Sequence, residues 1–309
     1  MRVTFEGITK SYKNPVLHGL TFEVRPGRVT GFLGPNGAGK STTLSLMVGL
    51  VAADGGQVLF DGLSYESLGP RRRLVSVALD SFGFNPFVTG RRHLQYVAAA
   101  YSLPRERVEQ SLTLAGLENA ADRQVRGYSL GMRQRLLIAE ALISDPAVIV
   151  LDEPANGLDP EGILWLRRTL RQLADSGKTV LVSSHVLSEV EQIIDDVVMI
   201  ADGRLLYAGS LVELALAGSS KVKLHTLDVT SLVGVCALHG VIPTSIDALG
   251  VTMSSRDAER IAAALQQNAD FVVSARELIG ESLESLYFDL LASRNTSRVD
   301  ALSGDQGWD

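Results

Sequence analysis

Nine consecutive residues constrain this chain more than any other feature. Gly34-Pro35-Asn36-Gly37-Ala38-Gly39-Lys40-Ser41-Thr42 fits the pattern G-x-x-x-x-G-K-[ST]. An apolar run, Val29–Leu33, leads into it, and a helical pattern from Lys40 to about Val48 follows. That strand–loop–helix context is what turns a glycine-rich string into a phosphate cradle. The glycines let backbone N–H groups turn inward around an anion, and the start of the helix adds a partial positive charge. Lys40 is placed to reach β- and γ-phosphates, and the Ser41 hydroxyl suits Mg²⁺. Val29–Leu33 is therefore expected to be a buried parallel strand of an α/β sheet.

Two further strand ends supply matching chemistry. Val148-Ile149-Val150-Leu151 is an apolar run that ends in Asp152 and Glu153. In a parallel sheet it delivers both acids to the edge that carries the phosphate loop. Asp152 then suits Mg²⁺, and Glu153 suits a general base for an attacking water. Thr179–Ser184 is a second such run, followed directly by His185, which can contact a γ-phosphate oxygen or orient the water. Alone, two acids or a histidine at a strand end are ordinary surface groups. Behind a phosphate loop they form a catalytic set.

Composition sets the limits. The chain has 309 residues, about two domains' worth. Lys+Arg 29 against Asp+Glu 35 gives 29 − 35 = −6, which argues against a nucleic-acid coat. The single cysteine, Cys236, permits no internal disulfide and favours a cytosolic setting. The N-terminal residues contain no apolar core of a secretory signal, and no apolar run is long enough for a membrane-spanning helix. Arg71-Arg72-Arg73 reads as a solvated surface run.

Strand and helix patterns alternate through the first 217 residues, as in an α/β core. Val3–Ile8 and Leu20–Val24 read as antiparallel strands, 90–116 as helical, and Val186–Ile194 as a helix after His185. Beyond Gly218-Ser219-Ser220 the order becomes strand (Lys221–Leu227), helix (Ser231–His239), hairpin (Ile242–Met253), helix (Arg256–Gln267), strand (Phe271–Ser274), helix (Leu283–Ala292). That βαββαβ order with a trailing helix predicts a small ferredoxin-like module over 218–292. The tail 293–309 is polar and is expected to be disordered.

These motifs, in this order, resemble the nucleotide-binding subunits of ABC transporters over about residues 2–215. Gly34–Thr42 looks like Walker A, and Leu151-Asp152-Glu153-Pro154 looks like Walker B with its catalytic glutamate. Tyr128-Ser129-Leu130-Gly131-Met132 resembles the signature motif, Asn156-Gly157-Leu158-Asp159 the D-loop, and Ser183-Ser184-His185 the switch histidine. The resemblance implies a P-loop NTPase cassette: a RecA-like parallel core sheet, an antiparallel β subdomain and a helical subdomain. It implies ATP and Mg²⁺ as ligands, with Glu153, His185 and Lys40 catalytic. Gly34, Pro35, Asn36, Gly37, Ala38, Gly39, Lys40, Ser41 and Thr42 would hold the phosphates, and Tyr12 would stack on adenine. Ser129 and Gly131 would face ATP held by another subunit, so the chain would act as a homodimer, or as a heterodimer with a related ATPase.

The resemblance has two departures. Leu130 and Met132 replace the usual signature glycine and glutamine; this S-L-G-M form is similar to bacitracin- and lantibiotic-type drug exporters. Asp80 falls where the family's Q-loop glutamine stands, and with Ser41 and Asp152 it completes the implied metal set. Nearby Phe82, Phe84 and Phe87 suit either local core or a groove for the membrane partner. The expected function is an ATP hydrolase on the inner face of the membrane that powers a separate permease, exporting a drug, antibiotic or peptide. The alternatives are a non-transport ATPase acting on ribosomes or DNA, and an inactive sensor. The first is disfavoured by one cassette without sustained heptads, the second by an intact catalytic set.

Overall fold

The computed structural model describes residues 1–79, 83–217, 221–226, 228–265, 275–279 and 282–292. It divides into two compact units, Met1–Ser210 and Leu211–Asp309. That division falls seven residues before the boundary expected at 217, because the helix Leu211–Ala217 belongs to the second unit.

The first unit opens with β1 (Val3–Ser11) and β2 (Pro15–Val24), then β3 (Val29–Leu33), α1 (Lys40–Met47), β4 (Gly55–Phe60), β5 (Leu63–Ser64) and β6 (Val75–Ala78). The helices α2 (Gly90–Ala100), α3 (Glu106–Ala115) and α4 (Leu130–Leu142) come next. After them come β7 (Val148–Asp152), α5 (Pro160–Asp175), β8 (Thr179–Ser184), α6 (Leu187–Val190), β9 (Asp196–Ala201) and β10 (Arg204–Ser210).

Two sheets result, with orders β2-β1-β4-β5 and β10-β9-β3-β8-β7-β6. The first is antiparallel and the second parallel except for its edge strand β10. Every residue of β3, β7, β8 and β9 is buried, as strands covered on both faces must be. Phe5, Phe22 and Phe32 stack in series, with centroids 4.1 and 5.5 Å apart, and so tie the antiparallel sheet to the phosphate-loop strand. The helices α2–α4 have their own core around Leu94, Val108, Leu112 and Leu136. Phe84 packs against this core and meets His93 edge-on, whereas Phe87 is exposed beside Arg126.

The helix expected over Val186–Ile194 is only the four residues of α6. The chain turns early because Asp195 and Asp196 are claimed by the sheet. Asp195 Oδ2 accepts the Val29 N–H at 2.9 Å, and the guanidinium groups of Arg25 and Arg28 both hold Asp196.

The second unit contains α7 (Leu211–Ala217), β11 (Lys221–His225), α8 (Val229–Leu238), β12 (Ser245–Asp247), β13 (Gly250–Ser254), α9 (Ser255–Leu265), β14 (Ala275–Ile279) and α10 (283–292). Its sheet runs β12-β13-β11-β14, antiparallel throughout, which is the order a βαββαβ chain gives in a ferredoxin-like module. Val222, Leu224, Val251 and Met253 share one core with Leu232, Cys236 and Ile261 from α8 and α9. The expected strand Phe271–Ser274, the tail 293–309 and Asp80 lie outside the described residues. The fourth strand described is Ala275–Ile279.

Candidate active site

The phosphate loop joins β3 to α1 at the C-terminal edge of the core sheet. Its glycines answer to space as well as dihedral. A Cβ on Gly34 would come within 2.4 Å of the Ile200 carbonyl oxygen, and Gly39, at φ 102°, would drive one to 2.5 Å from Leu17 Cδ2. The loop is also stitched from outside. Gly203, in the turn between β9 and β10, donates to the Ala38 carbonyl at 3.1 Å and accepts the His18 N–H at 2.9 Å.

Lys40 is 6% exposed. Its ammonium donates to the Gly34 carbonyl at 2.7 Å and lies 3.6 Å from Glu153 Oε1. A buried ammonium needs such partners, and they aim it into the mouth of the loop. Beside it the Ser41 hydroxyl meets Asp152 Oδ2 at 3.1 Å. Glu153 Oε2 meets His185 Nδ1 at 2.8 Å. Ser184 fixes the turn that presents His185, its Oγ accepting the Val186 N–H at 3.0 Å. A cavity of about 540 Å³ opens over these groups, with Pro35, Lys40, Ser41, Asp152 and Glu153 in its wall.

The structure therefore brings together Lys40, Ser41, Asp152, Glu153 and His185, residues up to 145 positions apart in sequence. A hydroxyl and a carboxylate side by side are hard oxygen donors that fit Mg²⁺, a cation that keeps several waters and takes few protein ligands. Among the described residues no group of three or more His, Cys, Asp or Glu gathers as a metal cage.

Other expected residues stand apart. Tyr12 sits in the β1–β2 turn, 60% exposed, with the Lys10 ammonium 5.4 Å from its ring centre. It is not in the cavity wall, whereas Val16 and Leu79 are. Ser129 caps α4, its hydroxyl accepting the Met132 N–H at 3.2 Å. Neither Ser129 nor Gly131 lines the cavity of its own chain. The signature turn instead rests on the D-loop: Gly157, at φ 75°, lies directly under Leu130, whose Cγ is 2.3 Å from where a Cβ would stand. Asp159 caps α5 by accepting the Gly162 N–H at 2.7 Å.

Three contributors have no role assigned to them by the motifs. Val16 enters the wall because β2 folds back beside the phosphate loop. Gln134, one turn into α4 and 7% exposed, reaches the Glu153 carbonyl at 3.5 Å. Ser183 lies opposite Asp152 in the parallel pairing of β7 and β8. Ser183 stands inside the Ser183-Ser184-His185 motif, but its place at Asp152 follows from strand register, which no local pattern carries.

A phosphate cradle, a buried lysine and strand-end carboxylates on a parallel sheet define a P-loop nucleoside triphosphatase. Comparison with known proteins narrows the class. Residues 17–156 match the family model described as "ABC transporter". The chain is 38% identical over 205 residues to the uncharacterized ABC transporter ATP-binding protein YhcH of Bacillus subtilis, covering 65% of this chain and 67% of that protein. It is 35% identical over 280 residues to the Nod factor export ATP-binding protein I of Ralstonia nicotianae, covering 87% of this chain and 86% of that one. An alignment of that length reaches into the second unit. Among solved structures, an ATP-binding subunit of an ABC transporter superposes with TM-score 0.64 at 28% identity, covering 70% of this chain and 92% of that one. A dimeric post-hydrolysis state of the cassette MJ0796 with ADP and Pi gives 0.62 at 25%, covering 68% and 98%. This chain belongs to the ATP-binding subunits of ABC transporters, and its first unit is an ABC-type ATPase cassette.

Proposed function

We propose that this chain hydrolyses Mg-ATP to drive export through a membrane permease on a separate polypeptide. The observation that carries the reading is the cluster at the cavity floor: Lys40 and His185 both contact the Glu153 carboxylate, with Asp152 and Ser41 alongside. Lys40 would leave the Gly34 carbonyl for β- and γ-phosphate oxygens. Glu153, oriented by His185, would accept a proton from a water in line with the γ-phosphate. Asp152 and Ser41 would hold Mg²⁺, which supplies charge neutralisation at the phosphates. Catalysis is then positioning and electrostatics rather than covalent chemistry.

Ser129 and Gly131 complete the site from a second subunit. Their place at the start of α4, outside their own cavity, supports that division, and so does the dimer formed by the relative MJ0796. One full motif set allows two identical sites, as a homodimer needs; a related ATPase as the other half is the alternative. Tyr12, with an exposed ring near the loop-facing strand, would stack on adenine. A membrane permease that holds this chain on the inner face of the membrane is inferred from the family. Among the described residues no helix is long and apolar enough to cross a membrane. The Nod factor export relatives support an outward direction. The cargo we assign is a drug, antibiotic or peptide, on the S-L-G-M signature.

Glu153→Gln tests the reading. It should bind ATP within about threefold of the parent, lose turnover about a hundredfold or more, and accumulate as an ATP-dependent dimer in gel filtration. Full turnover in that variant refutes Glu153 as the base.

A further inference from the structure

The turn that presents Glu153 is strained. Among the described residues, five that are not glycine have positive φ: Asp61, Ser102, Asp145, Asp202 and Glu153, the last at φ 50°. Aspartate and serine reach this region with help from short local hydrogen bonds. Glutamate has no such help, so something must hold Glu153 there.

The Asn156 N–H and Gln134 Nε2 hold its carbonyl, at 3.2 and 3.5 Å, and Ser183 holds its N–H. The Glu153 backbone N–H lies 3.0 Å from Ser183 Oγ, and the same oxygen is in hydrogen-bond contact with Asp152 Oδ1. Chemistry fixes the direction of both bonds. An ionised carboxylate accepts only, so the hydroxyl proton goes to Asp152; a backbone N–H donates only, so the lone pair goes to Glu153. One fully buried hydroxyl thus donates to the metal-binding carboxylate and accepts from the backbone of the general base. It can do so because the pairing of β7 with β8 sets Ser183 opposite Asp152. The other oxygen of Asp152 is left for Ser41, 3.1 Å away.

We propose that Ser183 is a positioning residue for hydrolysis, a clip that sets Asp152 and Glu153 in one frame. This rests on the reading of Asp152 as a Mg²⁺ ligand and Glu153 as the base. Ser183 itself touches no substrate. With the clip removed, the Asp152 carboxylate rotates more freely and the Glu153 N–H is left buried without a partner. The turn then relaxes toward ordinary dihedrals and moves the Glu153 carboxylate away from His185.

The test compares Ser183→Ala with Ser183→Thr in the full chain. For the alanine variant we expect kcat about tenfold lower or more, with KM for ATP within about threefold, and the Mg²⁺ concentration for half-maximal effect raised about tenfold. Binding of trinitrophenyl-ATP in EDTA should stay within about twofold, because the phosphate loop is untouched. The threonine variant, which restores the hydroxyl, should recover most of the loss. Should the alanine variant fail to fold, Ser183→Cys fills the same space with a weak donor and acceptor and carries the same expectation. Ser183→Ala with kcat within about twofold of the parent and an unshifted Mg²⁺ titration overturns the proposal. A loss in EDTA binding equal to the loss in kcat also overturns it. Asp152→Asn run in parallel separates the two readings: an unshifted Mg²⁺ titration there removes Asp152 from the metal, whatever Ser183 does.

Discussion

The two units bury different things. In the first, Lys40, Asp152, Ser183 and Ser184 are all buried, and they converge at the ends of adjacent strands. In the second, the buried side chains among the described residues are mostly aliphatic, with Thr226, Thr252 and Cys236. Its charged pairs, such as Lys223 with Asp247 at 2.6 Å, sit at the surface. A buried ion costs stability unless it is paired, so a fold keeps one where chemistry needs it. The cassette has given up some ease of folding for a site; the second unit is built like an ordinary small core.

The contrast breaks first at Lys40. Lys40→Ala should lower kcat/KM for ATP by about a thousandfold or more in a malachite-green phosphate assay, since it removes the buried cation aimed at the phosphates. An active alanine variant would remove the basis for separating the units by chemistry.

A smaller effect is expected where the signature leans on the D-loop. Gly157→Ala forces a Cβ into Leu130 at positive φ, at a strain of about 1–2 kcal/mol from the dihedral alone. Turnover should fall about tenfold. Adding Leu130→Gly should recover the steric part of the loss, which a double-mutant cycle reads as coupling.

The second unit should show stability without chemistry. Leu232, fully buried, meets Cys236 and Ile261 in one core. Leu232→Ala should destabilise that unit by about 2–4 kcal/mol and leave turnover within about twofold. Cys236 is the reporter: burial raises its thiol pKa and shields it. Labelling by a thiol reagent should be slow in the parent and much faster in the variant.

The smallest effect is in acid. The Lys223 ammonium, hydrogen-bonded to Asp247, holds that carboxyl below its ordinary value. Its contribution is therefore complete above the unfolded pKa of about 4 and is lost as pH falls through the lower folded value. Asp247→Asn should flatten only that acid limb in a thermal-melt series between about pH 5 and pH 2.

Legibility in the sequence is a matter of range. The phosphate loop is nine adjacent residues flanked by its strand and helix, so its chemistry is local and legible. Asp152, Glu153 and His185 are legible because each ends an apolar run. The clip at Ser183 depends on strand register, a relation across 31 positions that no local pattern carries. The early end of α6 has the same cause, since the arginines that hold Asp196 are 168 and 171 positions away. In the second unit, alternation revealed β11, α8, β13 and α9 to within a few residues at their ends, whereas the fourth strand described, Ala275–Ile279, does not overlap the expected Phe271–Ser274. There the Asp247 carboxylate closes the turn between β12 and β13 by accepting the Leu249 N–H at 2.9 Å, shortening the hairpin.

The stitch between Gly203, Ala38 and His18 bears on how nucleotide arrives. A loop tied through Ala38 to the β9–β10 turn, which is itself tied to β2, has given up part of its conformational freedom during folding, before any ligand is present. Nucleotide meets a loop already tied in place, so its arrival carries less entropy of loop ordering. The free energy of phosphate binding is then left to act elsewhere in the protein.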